Sequence, residues 1–189
     1  MYIDILILSH LIARPHHGYE IKKDIQRTLG AGFAVNNNLL YPALRRFEER
    51  GVVRREIEAQ QGKPDRHLYH LTDQGMESLR EMLRDYPPSL AARQEEFFVR
   101  VALFDLIDPD ARREILATRW TVLQGQLAQF TDLQVAAETS GQYHYALPVV
   151  RFLTQEVRRQ LDWIDELAAD SEGATNERPP ERAEEEPAI

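Results

Sequence analysis

The fold turns on one stretch, Asn36-Asn37-Asn38-Leu39-Leu40-Tyr41-Pro42-Ala43-Leu44-Arg45-Arg46-Phe47-Glu48-Glu49-Arg50-Gly51. Three asparagines in a row offer side-chain oxygens to the free amides of a first helical turn. From about Leu39 the apolar residues Leu40, Leu44 and Phe47 recur at spacings of four and three, the period of a helix with one face against a core. Tyr41, Arg45 and Glu48-Glu49 project from the other side, and Gly51 ends the element. Pro42 counts against an unbroken helix, because it removes one backbone hydrogen bond unless it lies in the first turn. The stretch therefore predicts a helix over about 39–50 with a polar outward face.

Upstream, Asp4 to Ala13 reads as a short apolar helix stopped by Pro15. A second helix is expected from Gly18 to Leu29, with Ile21, Ile25 and Leu29 every four residues and Lys22, Lys23, Gln26 and Arg27 on the other side. Downstream the period changes from helical to alternating at Val52. Val53, Arg55 and Ile57 point one way; Arg54, Glu56 and Glu58 point the other. Gln61-Gly62-Lys63-Pro64-Asp65 is a turn, and Arg66 to Leu71 alternates again, so the pair reads as a β-hairpin. Thr72 caps a fourth helix, with Asp73 at its positive end, running to about Tyr86. Pro87-Pro88 marks a domain boundary.

Beyond it the pattern is helical throughout. One helix is expected over 90–107. Asp108-Pro109 supplies an N-cap followed by proline at the first helical position, opening a helix to about Glu138, roughly 45 Å at 1.5 Å per residue. Its Leu116, Trp120, Leu123, Leu127 and Phe130 form a heptad seam. After Gly141 a last helix, 146–169, carries Val150, Leu153, Val157, Leu161, Ile164 and Leu167 on one stripe. The end, 171–189, holds three prolines and six glutamates and reads as a disordered acidic tail.

The chain has 189 residues, 43% of them hydrophobic, enough for a sizeable core. It has no cysteine, which excludes a disulfide scaffold, a thiolate metal site and a cysteine nucleophile. The first apolar run, Tyr2 to Leu8, lacks a basic head and a small-residue cleavage site and is too short for a bilayer. A soluble, cytoplasmic protein without a membrane partner is expected. Net charge is −8, but unevenly spread: +2 over 1–84, −6 over 85–170 and −4 over 171–189. Any polyanion partner belongs to the first part. None of the six histidines forms the i, i+4 helical pair that zinc uses, so no metal site is expected. Ser9 and His10 are neighbours that diverge by about 100° on a helix. Gly30-Ala31-Gly32 lacks the third glycine and lysine of a phosphate loop. No catalytic residue and no cofactor are expected, and the chain does not read as an enzyme.

Three short helices, a hairpin and a following helix make a winged helix-turn-helix, whose third helix enters the DNA major groove while the hairpin lies on the backbone. Asn37 and Asn38 stand at the leading end of that helix, where amides read adenine edges or hold phosphate. Arg45 is on its outward face, and Tyr41 is either a groove-reading side chain or plain packing. Lys22 lies on the preceding helix, and Gly62, Lys63 and Arg66 place positive charge and backbone amides at the wing. The expected class is mainly α, an N-terminal winged helix-turn-helix (1–86) followed by a helical dimerisation and effector domain (87–170) and the tail (171–189).

The sequence also resembles a known family. His17-Gly18-Tyr19-Glu20-Ile21, then Leu40-Tyr41-Pro42-Ala43-Leu44-Arg45-Arg46-Phe47-Glu48 and Gly51, are similar to the N-terminal domain of PadR-type transcriptional regulators. So are Gly62-Lys63-Pro64, Tyr69, Leu71-Thr72 and Gly75. The anchors cover residues 3–80 in order. Residues 95–168 look like the helical C-terminal domain of the longer subfamily shared with virulence-type activators, on Glu96-Phe97-Phe98, Asp108-Pro109 and Leu161-Asp162-Trp163. The resemblance implies dimeric DNA-binding regulators, commonly repressors, some released by phenolic or other aromatic molecules, and it accommodates Pro42. Where family members often carry small Ser, Gly and Thr before Leu-Tyr-Pro, this chain has Asn36-Asn37-Asn38-Leu39, so the operator sequence does not carry over.

A homodimer on a pseudo-palindromic double-stranded operator is expected, with Val157, Leu161 and Ile164 at its interface, because the two long stripes exceed what one helical layer buries. For an aromatic effector the candidates are Phe97, Trp120, Tyr143 and His144, with Arg93 or His144 meeting its carboxylate. The competing reading is a winged-helix module for protein–protein contact, which the acidic total permits.

Overall fold

The computed structural model describes residues 2–29, 36–59, 66–140 and 145–173. In chain order they form α1 (Tyr2–His10), β1 (His16–His17), α2 (Gly18–Leu29), α3 (Asn37–Glu49), β2 (Val53–Glu58), β3 (Arg66–Leu71), α4 (Asp73–Arg84), α5 (Pro88–Ala91), α6 (Gln94–Val101), a 3-10 turn (Phe104–Leu106), α7 (Pro109–Ser140) and α8 (Ala146–Gly173). The chain divides into two compact units, 1–108 and 109–189.

In the first unit α1 buries Ile5, Leu6, Ile7 and Leu8 in succession, as a central core helix does. Ile21 and Ile25 of α2, Leu40, Leu44 and Phe47 of α3, and Leu79 and Leu83 of α4 complete that core. The stripes read from the sequence are thus spent on one another. β2 and β3 pair antiparallel from Val53↔Leu71 to Glu58↔Arg66. The sheet has a third strand: β1 pairs with β3 at His16↔Tyr69 and His17↔Leu68, giving the order β1-β3-β2. The architecture is a winged helix-turn-helix whose hairpin is stitched to the start of α2. Gly75 sits where a Cβ would lie 2.1 Å from the Val52 carbonyl oxygen. Only glycine lets α4 begin so close to the wing. Thr72 caps α4 by accepting from the Gly75 amide at 3.0 Å.

The single helix expected over 90–107 is instead broken into α5, α6 and the 3-10 turn. Arg93 is extended (φ −100°, ψ 118°), and the break lets α6 turn Glu96 and Arg100 into the core. Both side chains are fully buried. The Arg100 guanidinium donates to Glu96 Oε2 at 2.7 Å and to the carbonyls of Leu83 (3.2 Å), Met82 (3.1 Å) and Asp85 (3.0 Å), the open end of α4. Glu96 Oε1 accepts from the Tyr2 amide at 3.0 Å, the open end of α1. One ion pair therefore satisfies two helix termini, as their free amides and carbonyls require. It also holds residues 88–107 within the first unit, past the expected boundary at Pro87-Pro88.

In the second unit α7 starts at Pro109, where the Asp108-Pro109 signal places it. Arg119 Nη2 donates to Gln160 Oε1 at 2.6 Å, and Arg151 Nη2 donates to Glu138 Oε1 at 3.1 Å. The pairings run in opposite sequence directions, so α7 and α8 are antiparallel. Leu116 and Leu123 face Val157, Leu161 and Ile164 as a buried seam. The three residues expected at a dimer interface, Val157, Leu161 and Ile164, are therefore covered within one chain: a heptad stripe meets the nearest matching stripe, and here that is α7.

Candidate nucleic-acid interface

Asn36 caps α3 (φ −90°, ψ 164°), its side chain accepting from the Leu39 amide at 3.0 Å. Helix α3 therefore starts two residues ahead of Leu39 and carries Pro42 in its interior. The proline leaves the Asn38 carbonyl without its usual helical donor, on a face that is exposed. Leu40, Ala43, Leu44 and Phe47 take the inner side. Asn38, Tyr41, Pro42 and Arg45 are left outside. At the far end Gly51 adopts φ 71°, Val52 N bonds to the Phe47 carbonyl at 2.8 Å and Gly51 N to that of Glu48 at 3.0 Å. This Schellman closure turns the chain into β2.

The cations around this helix differ in how they are held. Arg46 is bound by Asp4 at 2.9 Å and Arg55 by Glu48 at 2.9 Å. Among the described residues Arg45 has no salt-bridge partner, so its charge stays available to an outside anion. Lys22 Nζ donates to Asn37 Oδ1 at 3.0 Å, joining α2 to the leading end of α3. With its oxygen engaged, the Asn37 amide presents its NH2 group, a donor suited to phosphate oxygens and base acceptors. Tyr41 answers to both of its readings. Its ring edge lies so near Gly18 that a Cβ there would meet Tyr41 Cε1 at 2.9 Å, yet the residue is 44% exposed.

At the turn end of the wing, the Arg66 guanidinium lies 5.9 Å from the centre of the Tyr19 ring, which stacks on His17 at 5.8 Å and 8°. His17 Nε2 is 3.6 Å from Glu58 and its Nδ1 is 3.2 Å from the His67 carbonyl. Arg66 is thereby tied to the start of α2, a link the sequence did not disclose because a two-residue strand has no periodicity. His17 and Tyr19 join the candidate set; the signal available for them was the motif His17-Gly18-Tyr19. The neighbouring His16 is buried, and burial together with Arg14 lowers its pKa, favouring the neutral ring. Lys63 and Gly62 lie outside the described residues, as do Tyr143 and His144.

The expected effector residues are not brought together as a set. Phe97 is fully buried, its ring 6.4 Å from that of Tyr86 and 6.2 Å from that of Phe98, so it is core of the first unit and not a ligand wall. Arg93 is exposed at the start of α6. Trp120, 40% exposed, lines a hollow of about 360 Å³ between α7 and α8 with Arg113, Leu116, Thr121 and Ile164. Among the described residues no helix is long and apolar enough to cross a membrane.

Residues 7–81, from within α1 to within α4, match the Transcriptional regulator PadR-like family. A PadR family transcription regulator from hypervirulent Clostridium difficile R20291 is 32% identical, covering 42% of this chain and 80% of that one, with a TM-score of 0.37. The chain belongs to the PadR-like family. It is thus a transcriptional regulator and not an enzyme. Over a longer span it is similar to the Negative transcriptional regulator PadR of Bacillus subtilis (strain 168), 21% identical over 163 residues that cover 80% of this chain and 87% of that protein. Bacillus subtilis PadR in complex with operator DNA is a further likeness, at 16% identity, 90% of this chain and 99% of that one, with a TM-score of 0.44.

Proposed function

We propose that this PadR-like chain binds double-stranded DNA as a homodimer and represses transcription until a small aromatic or phenolic effector releases it. The observation that carries the DNA-binding reading is Arg45, exposed and without an acidic partner among the described residues, on the outward face of a capped α3. Lys22, Asn37, Asn38 and Tyr41 extend the same surface. Arg66, with Lys63 at the hairpin turn, supplies the wing's backbone contacts. Support for a second copy comes from α7 and α8. They keep Trp120, Leu133, Val135, Val149, Phe152 and Leu153 exposed after filling their own seam, more apolar surface than a lone helical pair leaves to water. A two-fold dimer presents two copies of α3 and so reads a pseudo-palindrome with half-sites about one helical turn apart. Trp120 and the hollow beside it suit a flat ring. A regulator of this kind works on DNA in the cytoplasm, and its repressing sense follows the negative regulator of Bacillus subtilis that it resembles.

The test is to enrich duplexes from a random pool with the full-length protein and to titrate the winner at rising salt. Affinity is expected to fall with a log–log slope near −0.9 per phosphate neutralised, and sedimentation is expected to give a dimer on DNA. Association that ignores salt, or a pool that never enriches, overturns the reading.

A further inference from the structure

Asn38 and Leu39 occupy the first turn of α3, and consecutive leucines there part company: Leu40 is fully buried whereas Leu39 is 46% exposed. Its backbone is committed, since the Leu39 amide bonds to both the carbonyl and the side chain of Asn36 at 3.1 and 3.0 Å. The isobutyl group is therefore held outside the core by a firm cap. Side chains on a helix tilt toward its N-terminus, so groups in the first turn reach past the leading end, the part of a recognition helix that meets base edges. Asn38 shares the outward stripe with Pro42 and Arg45, and Leu39 lies beside it. In the major groove one base feature matches an apolar side chain, the C5-methyl of thymine, and an asparagine amide matches the N6/N7 edge of adenine.

We infer that Leu39 and Asn38 are specificity-determining residues that read A·T pairs within each half-site, Leu39 through a thymine methyl and Asn38 through the adjoining adenine edge. The inference rests on the reading of α3 as the helix that enters the groove. The chemistry separates the two residues: Leu39 senses a methyl group and no hydrogen-bonding pattern, whereas Asn38 senses a donor–acceptor pair.

The experiment uses full-length protein and the duplex it enriches from a random pool, with thymines replaced one at a time by deoxyuridine, which removes the methyl and nothing else. Wild type is expected to lose about fourfold in affinity at one symmetric position per half-site, the ratio that about 0.8 kcal/mol of apolar burial gives. Leu39→Ala is expected to bind the thymine and uracil duplexes alike, both at the level of wild type on uracil. Asn38→Ala is expected to keep the methyl effect and to lose preference at the neighbouring adenine. Leu39 is exposed, so its variant folds, which circular dichroism checks. If wild type binds its enriched duplex tightly but is indifferent to uracil at every thymine, the inference falls and the DNA-binding reading stands. If no duplex outbinds a scrambled one, both fall together.

Discussion

Helices α3 and α7 spend their apolar side chains in opposite ways. α3 buries Leu40, Ala43, Leu44 and Phe47 within its own unit, leaving Leu39, Tyr41 and Pro42 outside among polar groups. α7 buries Leu116 and Leu123 against α8, and Trp120, Leu133 and Val135 stay exposed along with Val149, Phe152 and Leu153 of α8. The first unit finishes its core in one chain because α2, α4 and α6 all pack on α1. Two helices have only one face each to offer the other, so the second unit cannot. Reading and assembly are thereby divided: the first unit holds a rigid polar face, and the second holds an unfinished apolar one.

The largest expected effect breaks the first half of that contrast. Arg100→Ala leaves Glu96 buried without its cation and uncaps α4, at a cost of about 3–5 kcal/mol in denaturant unfolding. A loss below about 1 kcal/mol would mean that residues 88–107 are not part of the first unit's fold. Next, Ile164→Ala and Phe152→Ser separate the two kinds of apolar residue in α8. Ile164→Ala is expected to cost about 2–5 kcal/mol as a core cavity. Phe152→Ser is expected to leave the unfolding of the chain itself nearly unchanged and to weaken self-association in sedimentation. Equal effects of the two on folding would erase the distinction.

A smaller effect concerns acid. Burial pushes the Glu96 carboxyl up, but hydrogen bonds from Arg100 and the Tyr2 amide outweigh it and hold the pKa below the ordinary 4.5. A carboxyl with a lowered folded pKa adds stability that is complete above the unfolded value and lost as pH falls through the folded one. Stability is therefore expected to decline from about pH 4.5 downward, and Glu96→Gln, less stable at neutral pH, is expected to show a shallower decline over that range.

Residues with a repeating environment were the legible ones. The α3 stripe, the Thr72 cap, the Asp108-Pro109 start and the existence of the hairpin follow from periods and caps that act locally. β1 is two residues long and exists only because β3 runs beside it, so no local pattern announces it. The break at Arg93 is likewise tertiary: the helical period of 90–107 loses to the contacts that Glu96 and Arg100 make with the ends of α1 and α4. Phe97, expected at a pocket wall, is core for the same reason. Val157, Leu161 and Ile164 look like an intermolecular stripe in the sequence, since a heptad pattern states that a partner exists and not which chain supplies it. At the interface itself the polar face of α3 was legible, whereas the Lys22–Asn37 bond and the Arg66–Tyr19–His17 stack depend on contacts distant in sequence.

The claim that α3 carries the reading face is tested most directly by Arg45→Ala on the enriched duplex and on a scrambled duplex of the same composition, at one salt concentration. Specific affinity is expected to fall by roughly 1–3 kcal/mol, as for a bidentate base contact, with a much smaller loss on the scrambled duplex, so that the ratio between the two narrows. An unchanged ratio, with both affinities intact or both reduced alike, would contradict the placement of α3 in the groove.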